Sequence, residues 1–116
     1  MSREAGALAE QKAAQFLKDL GYEILERNFR AKVGEIDIIA RNRETVVFVE
    51  VRSRKASSFG LARETVGAFK RRKIIKTAMI YAQRRGFLDC AMRFDVIAIE
   101  AGTLEHFPNA FDSSGL

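Results

Sequence analysis

The stretch GEIDIIARNRETVVFVEVRSR, Gly34 to Arg54, constrains the fold more than any other part of the chain. Two runs rich in Ile and Val, VGEIDIIA (33–40) and TVVFVEV (45–51), flank the polar break NRE at 42–44. β-Branched residues favour extended chain, and a short turn-forming break between two such runs predicts an antiparallel hairpin. Each run carries a carboxylate in its interior, Asp37 and Glu50. A strand interior is a costly place for an unpartnered carboxylate, so the pair requires compensation.

Side chains on a strand alternate between faces. Val47, Val49 and Val51 are therefore expected on one face of the third strand, with Phe48, Glu50 and Arg52 on the other. On the second strand Ile36 and Ile38 are expected to share one face, and Glu35, Asp37 and Ile39 the other. If the register puts Asp37 and Glu50 on the same face, two carboxylates meet on neighbouring strands and cannot both stay ionised unaided. A divalent cation resolves that conflict. Mg²⁺ commonly takes one or two protein carboxylates plus waters and phosphate oxygens, and it can polarise a phosphodiester and activate a water.

The rest of the chain supplies the setting. Residues 4–20 read as a helix, with Ala9, Ala13, Phe16, Leu17 and Leu20 at helical spacing and Gly21 as its stop. A strand is expected over 22–30 and another over 93–100, with a short fifth at 103–107 ended by Pro108. A second helix is expected over 63–85, closed by Gly86, its apolar stripe running through Val66, Ile74, Ala78, Tyr81 and Ala82. Lys70 interrupts that stripe, and Glu10 sits at the edge of the first helix's stripe, so each could reach the carboxylates. Residues 53–62 read as a mobile basic loop and the last residues as a frayed tail. The order α-β-β-β-α-β-β describes a mixed sheet with helices packed on it.

With 116 residues, 47% of them apolar, the chain fits one domain, 1–116. No apolar run is long enough to span a membrane, and the charged N-terminal stretch lacks a signal peptide's apolar centre. The single cysteine, Cys90, excludes an intrachain disulfide, and no Cys/His cluster suggests zinc. A cytoplasmic protein with no membrane association is expected. The net charge of +5 is concentrated in RSRKASSFGLAR and FKRRKIIK. Clustered positive charge favours a polyanionic partner, usually nucleic acid, and no recognition-helix or zinc-finger signature points to base readout.

The segments ALAEQKAAQFLKDLGYEILERNFR, GEIDIIA, VVFVEVRSR, VGAFKRRKIIKTAMIYA, RFDVIAIE and HFPNAF together resemble the bacterial YraN family. That family is similar to the Holliday-junction resolvases of the restriction-endonuclease-like superfamily. The superfamily motif is an Asp, a gap, then Glu-x-Lys; here it reads Asp37, then Glu50-Val51-Arg52. The resemblance implies an α/β restriction-endonuclease-like fold, a central mixed β-sheet flanked by helices. It implies metal ligands Asp37, Glu50 and the Val51 carbonyl for Mg²⁺ or Mn²⁺. It also implies a supporting Glu10 from the first helix, Arg52 at the motif lysine and Lys70 acting on the phosphate.

The implied activity is a metal-dependent nuclease on nucleic acid, DNA before RNA, including branched or junction DNA, and by analogy a homodimer. Arg52 departs from the motif: arginine stays protonated and cannot act as a base, though it can stabilise developing negative charge. That departure keeps open a non-catalytic nucleic-acid-binding module that retains the fold, and beyond it a protein-interaction domain with structural carboxylates.

Other polar residues have plainer readings. Glu35 is expected to be structural, and Gly34 to serve the backbone geometry where its strand begins. Asp95 is expected to pair with Arg93, His106 and Tyr81 to pack, and Cys90 to be structural.

Overall fold

The computed structural model describes residues 3–54 and 67–112. Seven elements follow in the expected order: α1 (Arg3–Asp19), β1 (Glu23–Ala31), β2 (Gly34–Asn42), β3 (Thr45–Arg54), α2 (Ala68–Arg85), β4 (Ala91–Glu100) and β5 (Thr103–Phe111). The five strands form one sheet in the order β1-β2-β3-β4-β5. All neighbours are antiparallel except β3 and β4, which run parallel. Parallel neighbours need a long crossover, and α2 lies within it. The fold is thus α/β with a mixed sheet and two helices, in keeping with a nuclease-like architecture.

The helices cover opposite faces. Ala9, Ala13, Ala14 and Leu17 of α1 pack on Ile38, Val47, Val49, Ile97 and Ile99; the three alanines let the helix approach the sheet closely. Ile74, Ala78 and Tyr81 of α2 pack on Ile39, Val46, Phe48, Phe94 and Val96. With both faces covered, β3 and β4 are buried from Val46 to Glu50 and from Phe94 to Glu100, as expected of central strands.

Both glycine stops act as expected. Gly21 is left-handed at φ 94°, with Gly21 N–H bonding Lys18 O and Tyr22 N–H bonding Leu17 O, each at 2.9 Å. Gly86, at φ 73°, closes α2 through Phe87 N–H to Ala82 O at 2.7 Å. These are Schellman closures, which require a positive φ that glycine adopts freely. Leu20 falls beyond the end of α1 and is exposed, not part of its buried stripe.

Three boundaries differ from the sequence reading. Helix α2 starts at Ala68 with extended Gly67 as its N-cap, later than residue 63; Val66 and residues 55–62 of the expected loop lie outside the described residues. Strand β3 continues to Arg54, so Ser53 is strand rather than loop. Strand β5 continues through Pro108 to Phe111. Pro108 is tolerated because β5 is an edge strand with an irregular register opposite Phe94 and Val96. There Asn109, at φ 52°, turns its N–H onto the Asp95 carboxylate at 2.9 Å.

Candidate active site

Strands β2 and β3 pair from Asn42↔Thr45 down to Ile38↔Val49, and the ladder stops there. The next residue on each strand is a carboxylate, Asp37 and Glu50. Asp37 Oδ2 accepts the Val51 N–H at 2.8 Å, so a side chain takes the place of a strand carbonyl. Opening the pair at this point makes room for two carboxylates between β2 and β3.

The opening also breaks the expected alternation. Val47, Val49 and Val51 face α1 while Phe48 faces α2, as the pattern required. Ile36 and Ile38, however, pack on opposite sides of the sheet, Ile36 toward α2 and Ile38 toward α1. The partner strand shows the same reversal: Arg27 reaches Glu10 on α1, whereas Phe29 packs on Tyr81 of α2. Between them Asn28 is left-handed at φ 56°, a conformation asparagine tolerates better than most residues. Asn28 and Asp37 are the positions that the β1–β2 pairing passes over at the site.

The electrostatics are asymmetric. Burial, then the neighbouring Glu50 charge, pushes the Asp37 pKa up to about 8; a hydrogen bond to Glu50 and the Glu10 charge add to the rise, and the Val51 N–H opposes it. Glu50 is buried and its Oε2 is the shared anchor of two cations, Arg52 Nη1 at 3.2 Å and Lys70 Nζ. Asp37 therefore carries a proton at neutral pH and Glu50 carries the ion pairs.

The structure thus brings together Asp37, Glu50, Arg52 and Lys70, with the half-buried Val51 between the carboxylates and the α1 core. Glu10 stands at the margin: its ion pair is with Arg27, at 3.5 Å. Among the described residues no group of three or more His, Cys, Asp or Glu side chains is placed to hold a metal ion. The candidate donor set is the Asp37–Glu50 pair and the adjoining backbone.

Glu35 pairs with Arg30 at the surface, as a structural reading requires. Gly34 does not have a positive φ; what it permits is close approach to α2, since a Cβ there would lie 3.1 Å from Thr77 Oγ1.

A second polar cluster lies away from the carboxylate pair. Asp95 is fully buried and pairs with Arg93 as expected, accepting two bonds from it, at 2.8 and 2.9 Å. It also contacts His106 Nε2 at 2.8 Å. Arg93 in turn bonds the Tyr22 hydroxyl at 2.6 Å, and the His106 ring sits edge-on to Phe16 and Tyr22. Burial would raise the Asp95 pKa, but the bonds from His106, Arg93 and Asn109 outweigh it and hold the carboxyl below its ordinary value. Tyr22, His106 and Asn109 were not expected in this cluster, because only Arg93 lies on the same strand.

Residues 9–99 match the profile of the uncharacterised protein family UPF0102. The chain belongs to this family. A UPF0102 protein of Persephonella marina is 47% identical over 107 residues, covering 92% of each chain. A UPF0102 protein of Geobacter sulfurreducens is 45% identical and covers 92% of this chain and 88% of its own. One from Geotalea daltonii is 47% identical, covering 96% and 91% respectively. The resemblance to the YraN group is borne out, and the matched span contains Glu10, Asp37, Glu50, Arg52 and Lys70. No described helix is long and apolar enough to cross a membrane.

Proposed function

We propose that the chain is a divalent-metal-dependent phosphodiesterase acting on nucleic acid, DNA before RNA. The observation that carries this reading is the Asp37–Glu50 pair at the point where β2 and β3 part, with Lys70 and Arg52 beside it. A half-buried and a buried carboxylate in hydrogen-bond contact, the first kept protonated by its burial and then by the charge of the second, form a donor set that a small divalent cation fits.

Asp37, Glu50 and the Val51 carbonyl would hold Mg²⁺ or Mn²⁺, which when bound would polarise the phosphodiester and lower the pKa of a water. Lys70 and Arg52 then have a second anionic partner in the substrate phosphate. Arginine offers a fixed fork of donors to that phosphate and takes no proton from water. Lys70 is half-exposed and so faces the side from which substrate arrives. Glu10 shapes the field at Asp37 from α1.

A non-catalytic nucleic-acid-binding module is the second reading, favoured by one observation. Glu50 already has two cationic partners, which satisfies its charge without a metal.

The test is cleavage of end-labelled linear, flapped, four-way and single-stranded DNA, and of RNA, in Mg²⁺, Mn²⁺ or EDTA. Metal-dependent cutting by the native chain, abolished in Asp37→Asn, is the expected result. Salt-dependent binding of the same nucleic acids with no cutting in either metal would establish the binding module instead.

A further inference from the structure

The first turn of α2 carries an exposed aromatic ring one residue before the lysine that pairs with Glu50. Phe69 is 66% exposed, whereas Phe29, Phe48, Tyr81, Phe94 and Phe111 are all buried. The ring directly precedes Lys70, whose Nζ is paired with Glu50. One turn further on, Lys73 Nζ lies 4.7 Å from the Phe69 ring centroid. Arg72, Lys73 and Lys76 are exposed on the same helix, and the sequence of α2 contains no carboxylate to pair with them.

An exposed ring on a helix that carries cations and no carboxylate of its own has a specific chemical complement. A nucleobase presents a flat π-face to the ring, and its phosphates fall among the lysines and arginines. Only an unpaired base can do this, because both faces of a base inside a duplex are occupied by its neighbours. An acidic peptide would engage the cations but has no use for the ring. Phe69 and Lys70 are consecutive in the first turn of α2, so a base on the ring and a phosphate at Lys70 would belong to one short stretch of the same strand.

We propose that Phe69 is a stacking platform for an unpaired nucleobase, and that the site's substrate is a nucleic acid with a single-stranded stretch at the phosphate it handles. The second half of this statement rests on the phosphodiesterase reading; the stacking itself does not.

The chain contains no tryptophan, so Phe69→Trp introduces a sole reporter at an exposed position where folding is not at stake. The protein, in EDTA so that nothing is cut, is titrated with a fifteen-residue oligo-dT, a fifteen-residue oligo-U and a fifteen-base-pair duplex. Expected are saturable quenching of the Trp emission by a single strand and little by the duplex. By fluorescence anisotropy, Phe69→Ala should weaken single-strand binding about tenfold and leave duplex binding unchanged.

Quenching by either strand supports the proposal, and repeating the titration with oligo-dU, which shares its base with oligo-U, identifies the preferred sugar. Emission that stays constant while a single strand binds overturns it, as does equal quenching by the duplex. Native affinity in Phe69→Ala, or no binding of any probe, also overturns it. Stacking without metal-dependent cleavage would remove only the nuclease reading; cleavage without stacking would remove only this one.

Discussion

Replacing Asp37 with asparagine should make the metal-free protein more stable at neutral pH. In the folded chain the Asp37 carboxyl holds its proton up to about pH 8, against an ordinary value of 3.8. The unfolded chain therefore ionises first. Between about pH 4 and pH 8 the folded state binds more protons than the unfolded state, so stability falls as pH rises through that window. One pH unit of offset is worth about 1.4 kcal/mol, which caps the penalty near pH 7 at about 4 kcal/mol.

Asparagine reproduces the protonated acid. Its oxygen can accept the Val51 N–H and its amide can donate to Glu50, the two bonds that Asp37 makes. Lys70 and Arg52 are anchored on Glu50, so no cation is left without its partner. Thermal unfolding by circular dichroism in EDTA should show a gain of about 2 kcal/mol for Asp37→Asn at pH 7.5, roughly 8 °C in Tm, shrinking to nothing near pH 4. Excess Mg²⁺ should raise the Tm of the native chain and leave that of the variant unchanged. A variant less stable than the native chain at pH 7.5, or a difference independent of pH, would refute the assignment of the proton to Asp37.

The Asp95 cluster and the Gly34 contact can be tested in the same way. Asp95→Asn should lose about 3 kcal/mol in urea unfolding, because it leaves Arg93 and His106 facing a neutral group. Since the Asp95 pKa is lowered, its stabilisation is present above the ordinary carboxylate range and lost as pH falls; the variant's stability should depend less on acid than that of the native chain. Gly34→Val should cost about 2 kcal/mol, because the new side chain meets Thr77 Oγ1 and Lys73 Cβ. Adding Thr77→Ala should recover part of that loss in a double-mutant cycle, and strictly additive losses would rule out the contact.

The parts of this fold legible in the sequence were those written locally. Gly21 and Gly86 marked the helix ends because the Schellman closure uses residues within one turn. Asp37 and Glu50 stood out because carboxylates interrupt runs of Ile and Val. What escaped was non-local. Strand β5 continues past Pro108 because its irregularity is answered by Asp95, on another strand. Tyr22 joins Arg93 across 71 positions, and no spacing rule reaches that far. The later start of α2 was hidden because helical spacing from Val66 onward reads equally well on either side of Gly67.

The failed alternation on β2 explains why the carboxylates can sit where they do. Strict period-two geometry would carry Ile36 and Ile38 to the same side and keep Asp37 in a ladder with no room for a charge. The left-handed turn of Asn28 on β1 reverses that strand, and β2 reverses with it, placing Ile36 against α2 and Ile38 against α1. Strands β1 and β2 depart from regularity together, and β3, held between β2 and β4, stays regular. Glu50 and Arg52 accordingly follow the sequence pattern faithfully, while Asp37 owes its position to a residue on another strand. Asn28→Ala should therefore lower the thermal stability read by circular dichroism while Asn28→Gly largely preserves it, because residues other than Asn, Asp or Gly strain a left-handed backbone.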